Sequence, residues 1–179
     1  MKKAFLRTIL LSLLLLTSNG SFADFKKINR GSNSWGSFAY VMAFVARDYV
    51  PGHAFVVWVK LPRNSTPKKL ESYAYGLYPD NSKKAVLGTV PGKIVLENLG
   101  SLRSLNNGLV VAVTKQMYEY SLMNTQAMRS GNVPYHLTKE SCVDFVKLVA
   151  SSIGLSTSPT SGFKSLPQAF ISKLKDMNN

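Results

Sequence analysis

The residue best suited to chemistry in this sequence is Cys142, the one cysteine of the chain. A helix is predicted to begin at it, because Ser141 can act as the N-cap, Asp144 supplies an acid three residues later, and Gly154 would end the helix. A thiol in the first turn of a helix faces unpaired N–H groups and the positive end of the helix dipole, which favour a nucleophilic thiolate. The structural alternative is a small buried side chain, which is the usual role of a lone cysteine on an apolar helix face.

A cysteine nucleophile needs a base, and the chain has two histidines. His136 precedes the cysteine by six residues and would reach it only if the chain doubled back. His53 follows the turn residues Pro51 and Gly52 and opens an apolar strand, which places it at the end of a sheet, where catalytic groups often lie. We therefore expect His53 to deprotonate Cys142, which then attacks an acyl carbon while helix amides hold the oxyanion.

A third polar side chain usually orients the histidine of such a pair. Two apolar runs flank a polar loop that contains proline, and an antiparallel hairpin folded near Ser65 sets His53 across from the segment Tyr75 to Pro79. Tyr75 is the candidate we carry forward, although an ordinary strand role is equally open to it. The polar side chains within reach are those of Tyr75, Tyr78 and Asp80.

Other chemistries find little support in the sequence. Two scattered histidines and one cysteine do not make a zinc site, and no glycine-rich loop is present that would hold a phosphate. A glycosidase needs a pair of carboxylates, which is possible but unsupported because the acids lie in separate predicted elements. These acids include Glu71, Glu97, Glu119 and Glu140. We expect an enzyme without a metal or a cofactor.

The first 23 residues have the composition of a signal peptide. Lys2, Lys3 and Arg7 form a basic segment, an apolar run too short to span a membrane follows, and Ser21-Phe22-Ala23 is a small-residue cleavage site. We expect an exported bacterial protein, periplasmic or secreted, that starts at Asp24. No later stretch is long and apolar enough to cross a bilayer.

The exported chain is predicted to form one domain. Residues 24–179 number 156, which is enough for a single core, with the body at about 37–155 and a tail at 156–179. With one cysteine, this chain cannot form an internal disulfide.

The chain is strongly basic. Its net charge of +13 falls to +10 when residues 1–23 are removed, because that segment carries three basic residues and no acid. In an exported protein this charge favours attraction to cell-wall polymers or lipid headgroups. The basic residues lie singly or in pairs, so no nucleic-acid partner is expected.

The remaining pattern predicts an α+β fold, with an antiparallel sheet of about five strands. The predicted strands are 38–45, 54–61, 72–78, 93–97 and 109–113. The first of these is also compatible with a short buried helix. The Cys142 helix and a helix at 115–129, capped by Thr114, are expected to pack on the sheet, and a short helix with Pro167 in its first turn follows in the tail. Residues 24–35 are expected to be polar and irregular, and residues 99–107 a loop or one helical turn.

Several short motifs together resemble the circularly permuted papain-like cysteine hydrolases of bacteria. These are relatives of the NlpC-type cell-wall peptidases in which the histidine strand precedes the cysteine helix. The motifs are PGHAFV at 51–56, YGLYP at 75–79, VPG at 90–92, YHL at 135–137, CVDF at 142–145 and GL at 154–155. The resemblance implies a papain-like fold with His53 as the general base and Cys142 as the nucleophile.

The chain departs from this family at two points. Ser141 stands where such proteins often have asparagine, and the third residue is not a clear histidine, asparagine or glutamine. The resemblance implies an amidase or endopeptidase that acts on peptidoglycan peptides. The alternatives are a lipid or lipoprotein acyl hydrolase or acyltransferase of the same fold, and a binding module at the cell envelope that has lost turnover. No protein partner can be inferred.

Overall fold

The computed structural model describes residues 24–31, 37–47, 52–63, 71–98, 105–157 and 166–178. The predicted signal peptide, residues 1–23, lies outside the described residues, as does Pro51 of the predicted turn before His53.

One mixed sheet holds the seven strands of the described residues. The strands are β1 (Asp24–Asn29), β2 (Phe38–Arg47), β3 (His53–Pro62), β4 (Glu71–Pro79), β5 (Val90–Leu96), β6 (Leu105–Val113) and β7 (Val133–Tyr135). They lie side by side in the order β1-β6-β2-β3-β4-β5-β7. Every neighbouring pair is antiparallel except β1 and β6, which run parallel.

The five predicted strands are confirmed. Each of them has a local composition that favours a strand. Strands β2 and β3 are nearly continuous runs of apolar residues and are buried along almost their whole length, as central strands should be. The β3–β4 register pairs Val56 with Tyr75, which is the register of a hairpin folded near Ser65.

The expected number of strands and the all-antiparallel sheet were wrong. Residues 24–29, expected to be irregular, form β1, and the segment expected to be a loop or helical turn contributes the start of β6 at Leu105. A Cβ added at Gly108 would lie 2.3 Å from the Phe25 ring, so this glycine of β6 leaves the space into which β1 packs. Such a contact between distant segments has no local sequence pattern. Strand β7 is a three-residue edge strand, a position that tolerates its central Pro134.

Four helices lie in the described part of the chain: α1 (Ser82–Ala85), α2 (Lys115–Arg129), α3 (Cys142–Ser152) and α4 (Pro167–Met177). Helix α2 matches its prediction, and the Thr114 hydroxyl accepts the Met117 N–H at 3.1 Å. Helix α3 begins at Cys142, and Gly154 follows it with a positive φ of 76°. Pro167 lies in the first turn of α4, as predicted. Within the described residues, no helix is long and apolar enough to cross a membrane.

Helices α2, α3 and α4 pack on the sheet and share one core with it. Trp58 and Phe44 from the sheet, Val146 from α3 and Phe170 from α4 are among the fully buried side chains of this core. Because α3 packs mainly against β3 and β4, its first residue is held near the end of the sheet where β3 begins.

Asn178 anchors α4 and is completely buried. Its amide donates to the carbonyls of Leu174 and Ser156 at 2.8 Å each, and its oxygen accepts the Ser156 N–H at 2.9 Å and an Arg30 N–H at 3.3 Å. One side chain therefore joins α4, the segment after α3 and the segment after β1.

We expect Asn178→Ala to lower the free energy of unfolding by about 2–3 kcal/mol, because it leaves several buried backbone groups without partners. Asn29→Ala is the matched control, since the Asn29 side chain makes an exposed hydrogen bond to the Gly31 N–H, and it should cost less than about 1 kcal/mol. Urea unfolding measures both. Equal losses would contradict the anchoring role.

Candidate active site

The N-terminus of α3 is a complete capping box. The Ser141 hydroxyl accepts the Val143 N–H at 3.3 Å, and the Asp144 carboxylate accepts the Ser141 N–H at 2.9 Å. The Ser141 carbonyl accepts the N–H groups of Asp144 and Phe145 at 3.0 and 3.2 Å. The cap thus fixes the first turn of the helix, and the Cys142 N–H is not among the groups that it uses.

Cys142 is a free thiol and only 5% exposed. Burial alone would fit the structural role of a small core residue. A nucleophilic role would require, in addition, a titratable group close to the sulfur.

His53 is the first residue of β3 and is itself buried. Gly52 precedes it with a positive φ of 81°, a backbone conformation that glycine adopts without strain. The imidazole packs against the Tyr78 ring at a centroid distance of 4.1 Å and is nearly parallel to the Phe55 ring at 5.9 Å. These rings fix the orientation of the imidazole.

The imidazole of His53 makes a side-chain hydrogen bond to Glu97, and the Cys142 thiol lies near enough to raise the pKa of the imidazole. The bond to Glu97 joins Nε2 to Oε1 at 3.1 Å. With Nε2 occupied, Nδ1 remains as the ring nitrogen that can take the thiol proton. The structure thus brings together the predicted cysteine and histidine and adds a carboxylate that was not predicted to join them.

Comparisons with family models, curated proteins and solved structures found no match for this chain.

Glu97 follows β5 directly, and its N–H donates to the Ala74 carbonyl at 2.8 Å, which continues the β4–β5 pairing by one residue. Its carboxylate accepts the Tyr78 hydroxyl at 2.7 Å and pairs with the Arg47 guanidinium at 2.9 Å. Arg47 is the last residue of β2 and lies over the Phe55 ring. The carboxylate is therefore surrounded by three donors, as a buried acid requires.

The electrostatics of this cluster favour a charged pair. Burial is the largest influence on Glu97 and raises its pKa, but hydrogen bonds from His53 and Tyr78 and the charges of His53 and Arg47 outweigh it, so the pKa lies below 4.5. Burial likewise acts to lower the pKa of His53. The neighbouring Cys142 side chain, together with the hydrogen bond and the charge of Glu97, outweighs it and raises that pKa above its usual value.

Gly76 of β4 makes room for the His53–Glu97 hydrogen bond. A Cβ added there would lie 2.4 Å from His53 Nε2 and 2.7 Å from Glu97 Oε1. Any side chain at this position would therefore push the two groups apart.

The other candidates from the sequence lie elsewhere or play a different part. Tyr75 is buried in the core, where its ring meets Trp58 edge-on at 6.0 Å and lies beneath the Arg129 guanidinium, so the structure does not bring it to the imidazole. Asp80 pairs with Lys93 at the surface. Tyr78 does reach the site, through its contacts with His53 and Glu97.

His136 and the remaining acids do not join the cluster. The His136 ring accepts the Thr138 N–H at 3.2 Å within its own turn. Glu71 pairs with Lys60, and Glu119 with Lys115 on α2.

Glu97 was missed because its place depends on the β4–β5 pairing rather than on its own neighbours in the chain. One signal was available, since Gly76 lies inside an otherwise apolar and aromatic strand. A glycine at such a position often marks a close approach of another group.

We expect Glu97→Gln to lower the pKa of His53, because the substitution removes the buried negative charge while burial continues to oppose protonation. NMR titration of the ring protons measures this value. The His136 signal is an internal control and should be the same in the variant and in the unaltered protein. A His53 pKa unchanged by the substitution would show that Glu97 carries no charge at the imidazole.

We expect Gly76→Ala to slow alkylation of Cys142 by iodoacetamide by about tenfold to a hundredfold, since misplacement of an active group by about 1 Å has effects of this size. Gly88→Ala is the matched control, because a Cβ there meets no atom within 4 Å. Far-ultraviolet circular dichroism would establish that both variants fold. Equal alkylation rates in the two folded variants would contradict the role given to Gly76.

Proposed function

We propose that this protein is a cysteine hydrolase that works through an acyl-enzyme. Cys142 is the nucleophile, His53 the general base and then the general acid, and Glu97 the positioning residue that orients the imidazole. The observation that carries the proposal is the buried hydrogen bond between His53 and Glu97, with the Cys142 thiol near the same imidazole. A core cysteine with only a structural role would not need an imidazole beside it, nor a buried carboxylate behind that imidazole.

The steps follow from the positions of these groups. His53 Nδ1 takes the thiol proton, and the thiolate sulfur bonds to the carbonyl carbon of an amide or ester. The tetrahedral intermediate expels the amine or alcohol, which receives the proton from His53, and a thioester with Cys142 remains. Water then gives a proton to His53 and its oxygen to the acyl carbon, which releases the carboxylic acid and restores the thiol.

The Cys142 N–H is the amide proposed to hold the oxyanion. The cap engages the next three amides of the helix, and the positive end of the α3 dipole lies at the same place. An oxygen bound there would carry its developing negative charge at the helix N-terminus.

At the level of fold, we infer a permuted papain-like domain. Its support is the order of the parts: a histidine strand precedes a cysteine helix, the helix packs against that strand, and the orienting residue follows a strand further along the same sheet. The seven-stranded mixed sheet is larger than the resemblance alone implied.

For substrate, we propose an amide of peptidoglycan stem peptides, in an exported enzyme. The proposal is supported by the resemblance, by the composition of residues 1–23 and by the net charge of +10 that remains when those residues are removed, which suits an anionic polymer.

A lipid or lipoprotein ester is the second candidate. The observation that favours it is the exposure of two adjacent aliphatic residues, Val86 and Leu87, on the connection between β4 and β5. Incubation with muropeptides and with phospholipid vesicles, followed by mass spectrometry of the products, separates the two candidates. Hydrolysis of one substrate class and not the other, lost in Cys142→Ala, identifies the substrate.

Active-site titration tests the proposed chemistry. We expect Cys142 to react with iodoacetamide near pH 7 at least about tenfold faster than a model thiol, because the imidazolium stabilises the thiolate. His53→Ala should remove this advantage, whereas His136→Ala is the matched control and should keep it. A rate no faster than the model thiol and insensitive to His53→Ala would instead mean a binding module without turnover.

A further inference from the structure

The connection between β4 and β5 displays the two most exposed large hydrophobic side chains of the described residues. Leu87 is 90% exposed and its neighbour Val86 is 61% exposed. Single exposed apolar residues are common on protein surfaces, whereas exposed apolar side chains that lie together can mark a surface that binds a partner or a membrane.

This connection is held in place by its own hydrogen bonds. The Asn81 side chain caps α1 by accepting the Lys84 N–H at 3.1 Å, and the Lys84 carbonyl accepts the N–H groups of Leu87 and Gly88 at 3.0 Å each. Only Ala85 of the short helix turns into the core. The backbone therefore fixes Val86 and Leu87 in an outward position.

The same connection lies beside the candidate active site. It leaves β4 just after Tyr78, whose ring packs on His53. On its other side, the Ala85 carbonyl accepts the Leu137 N–H at 3.2 Å, and Leu137 belongs to the segment that leads into Cys142. A surface that contacts Leu87 would thus lie next to the groups that flank the thiol.

The charges of the connection indicate what kind of surface it would contact. Lys83 and Lys84 are exposed and lie before the apolar pair, separated from it by Ala85, and residues 81–89 contain no acid. Asp80, the nearest acid before the connection, is paired with Lys93. Aliphatic side chains at a tip with lysines behind them match a bilayer whose headgroups are anionic and whose interior is apolar.

We propose that residues 82–88, the docking loop, bind the surface of an anionic phospholipid bilayer. Leu87 and Val86 enter the boundary between headgroups and acyl chains, while Lys83 and Lys84 remain among the headgroup phosphates. Docking in this way holds the Cys142 end of the sheet at the membrane. That consequence rests on the proposed function, whereas the docking itself does not.

Co-sedimentation with vesicles tests the docking loop. The protein used is residues 24–179, the form expected after export. Vesicles that contain phosphatidylglycerol should bind it more tightly than vesicles of phosphatidylcholine alone. Leu87→Ser should weaken binding to the anionic vesicles by about tenfold, the effect expected when one buried leucine is lost. Leu148→Ser is the matched control: Leu148 is 54% exposed on α3, away from the loop, and the substitution should leave binding unchanged.

The lysines provide a second, independent comparison. Lys83→Gln with Lys84→Gln should weaken binding by about fivefold for each lysine. The charge-matched control is Lys27→Gln with Lys173→Gln, which removes exposed lysines from β1 and α4 and should have a smaller effect. Equal losses in both pairs would overturn the proposal, because binding would then follow total charge.

Peptidoglycan binding tests which partner the loop contacts, and alkylation of Cys142 tests the proposed function separately from docking. If the loop variants lose binding to purified peptidoglycan and not to vesicles, the partner is the polymer and bilayer docking is wrong. Alkylation of Cys142 in Leu87→Ser should proceed at the unaltered rate. A slow thiol reaction in every variant would count against the enzyme, and unchanged vesicle binding in the loop variants would count against docking.

Discussion

The buried hydrogen bond between Glu97 and His53 is the constraint around which this end of the molecule is built. A carboxylate out of contact with water is costly unless it is paired and fully hydrogen-bonded. Here the imidazole, the Tyr78 hydroxyl and the Arg47 guanidinium surround it, and each comes from a different strand. Because those strands must lie in register for the donors to converge, the site and the sheet form together.

The opposite charges of this cluster are arranged in a row. Arg47 stabilises the carboxylate, and the carboxylate stabilises the imidazolium of His53. Each charge is thus adjacent to one of opposite sign. The thiolate of the proposed Cys142–His53 pair would extend this row without giving the cluster a large net charge.

The parts of this structure that follow from short stretches of chain could be predicted. The cap at Ser141, the helix after Thr114, the apolar strands and the register that sets His53 near Tyr78 all depend on neighbouring residues. The Cys142–His53 contact could also be anticipated, because each residue lies where an element begins and the chain offers few alternatives.

The parts that depend on contacts between distant segments could not be predicted. The role of Glu97 requires the β4–β5 register, the space left by Gly76 and an arginine from β2. Strand β1 was missed for the same reason, since a polar segment gains strand structure only through its pairing with β6. Tyr75, Tyr78 and Asp80 were the candidates for the third residue, because the sequence shows proximity along one hairpin but does not show the proximity of Glu97 across the sheet.

The burial of the chain's one cysteine also affects how the protein would respond to oxidants. A peroxide that reached Cys142 would convert it to a sulfenic acid, and no second cysteine is present to resolve that product as an internal disulfide. Recovery would depend on an external thiol that could reach a residue only 5% exposed. The burial that protects the sulfur from oxidation would also slow the reduction of the oxidised form.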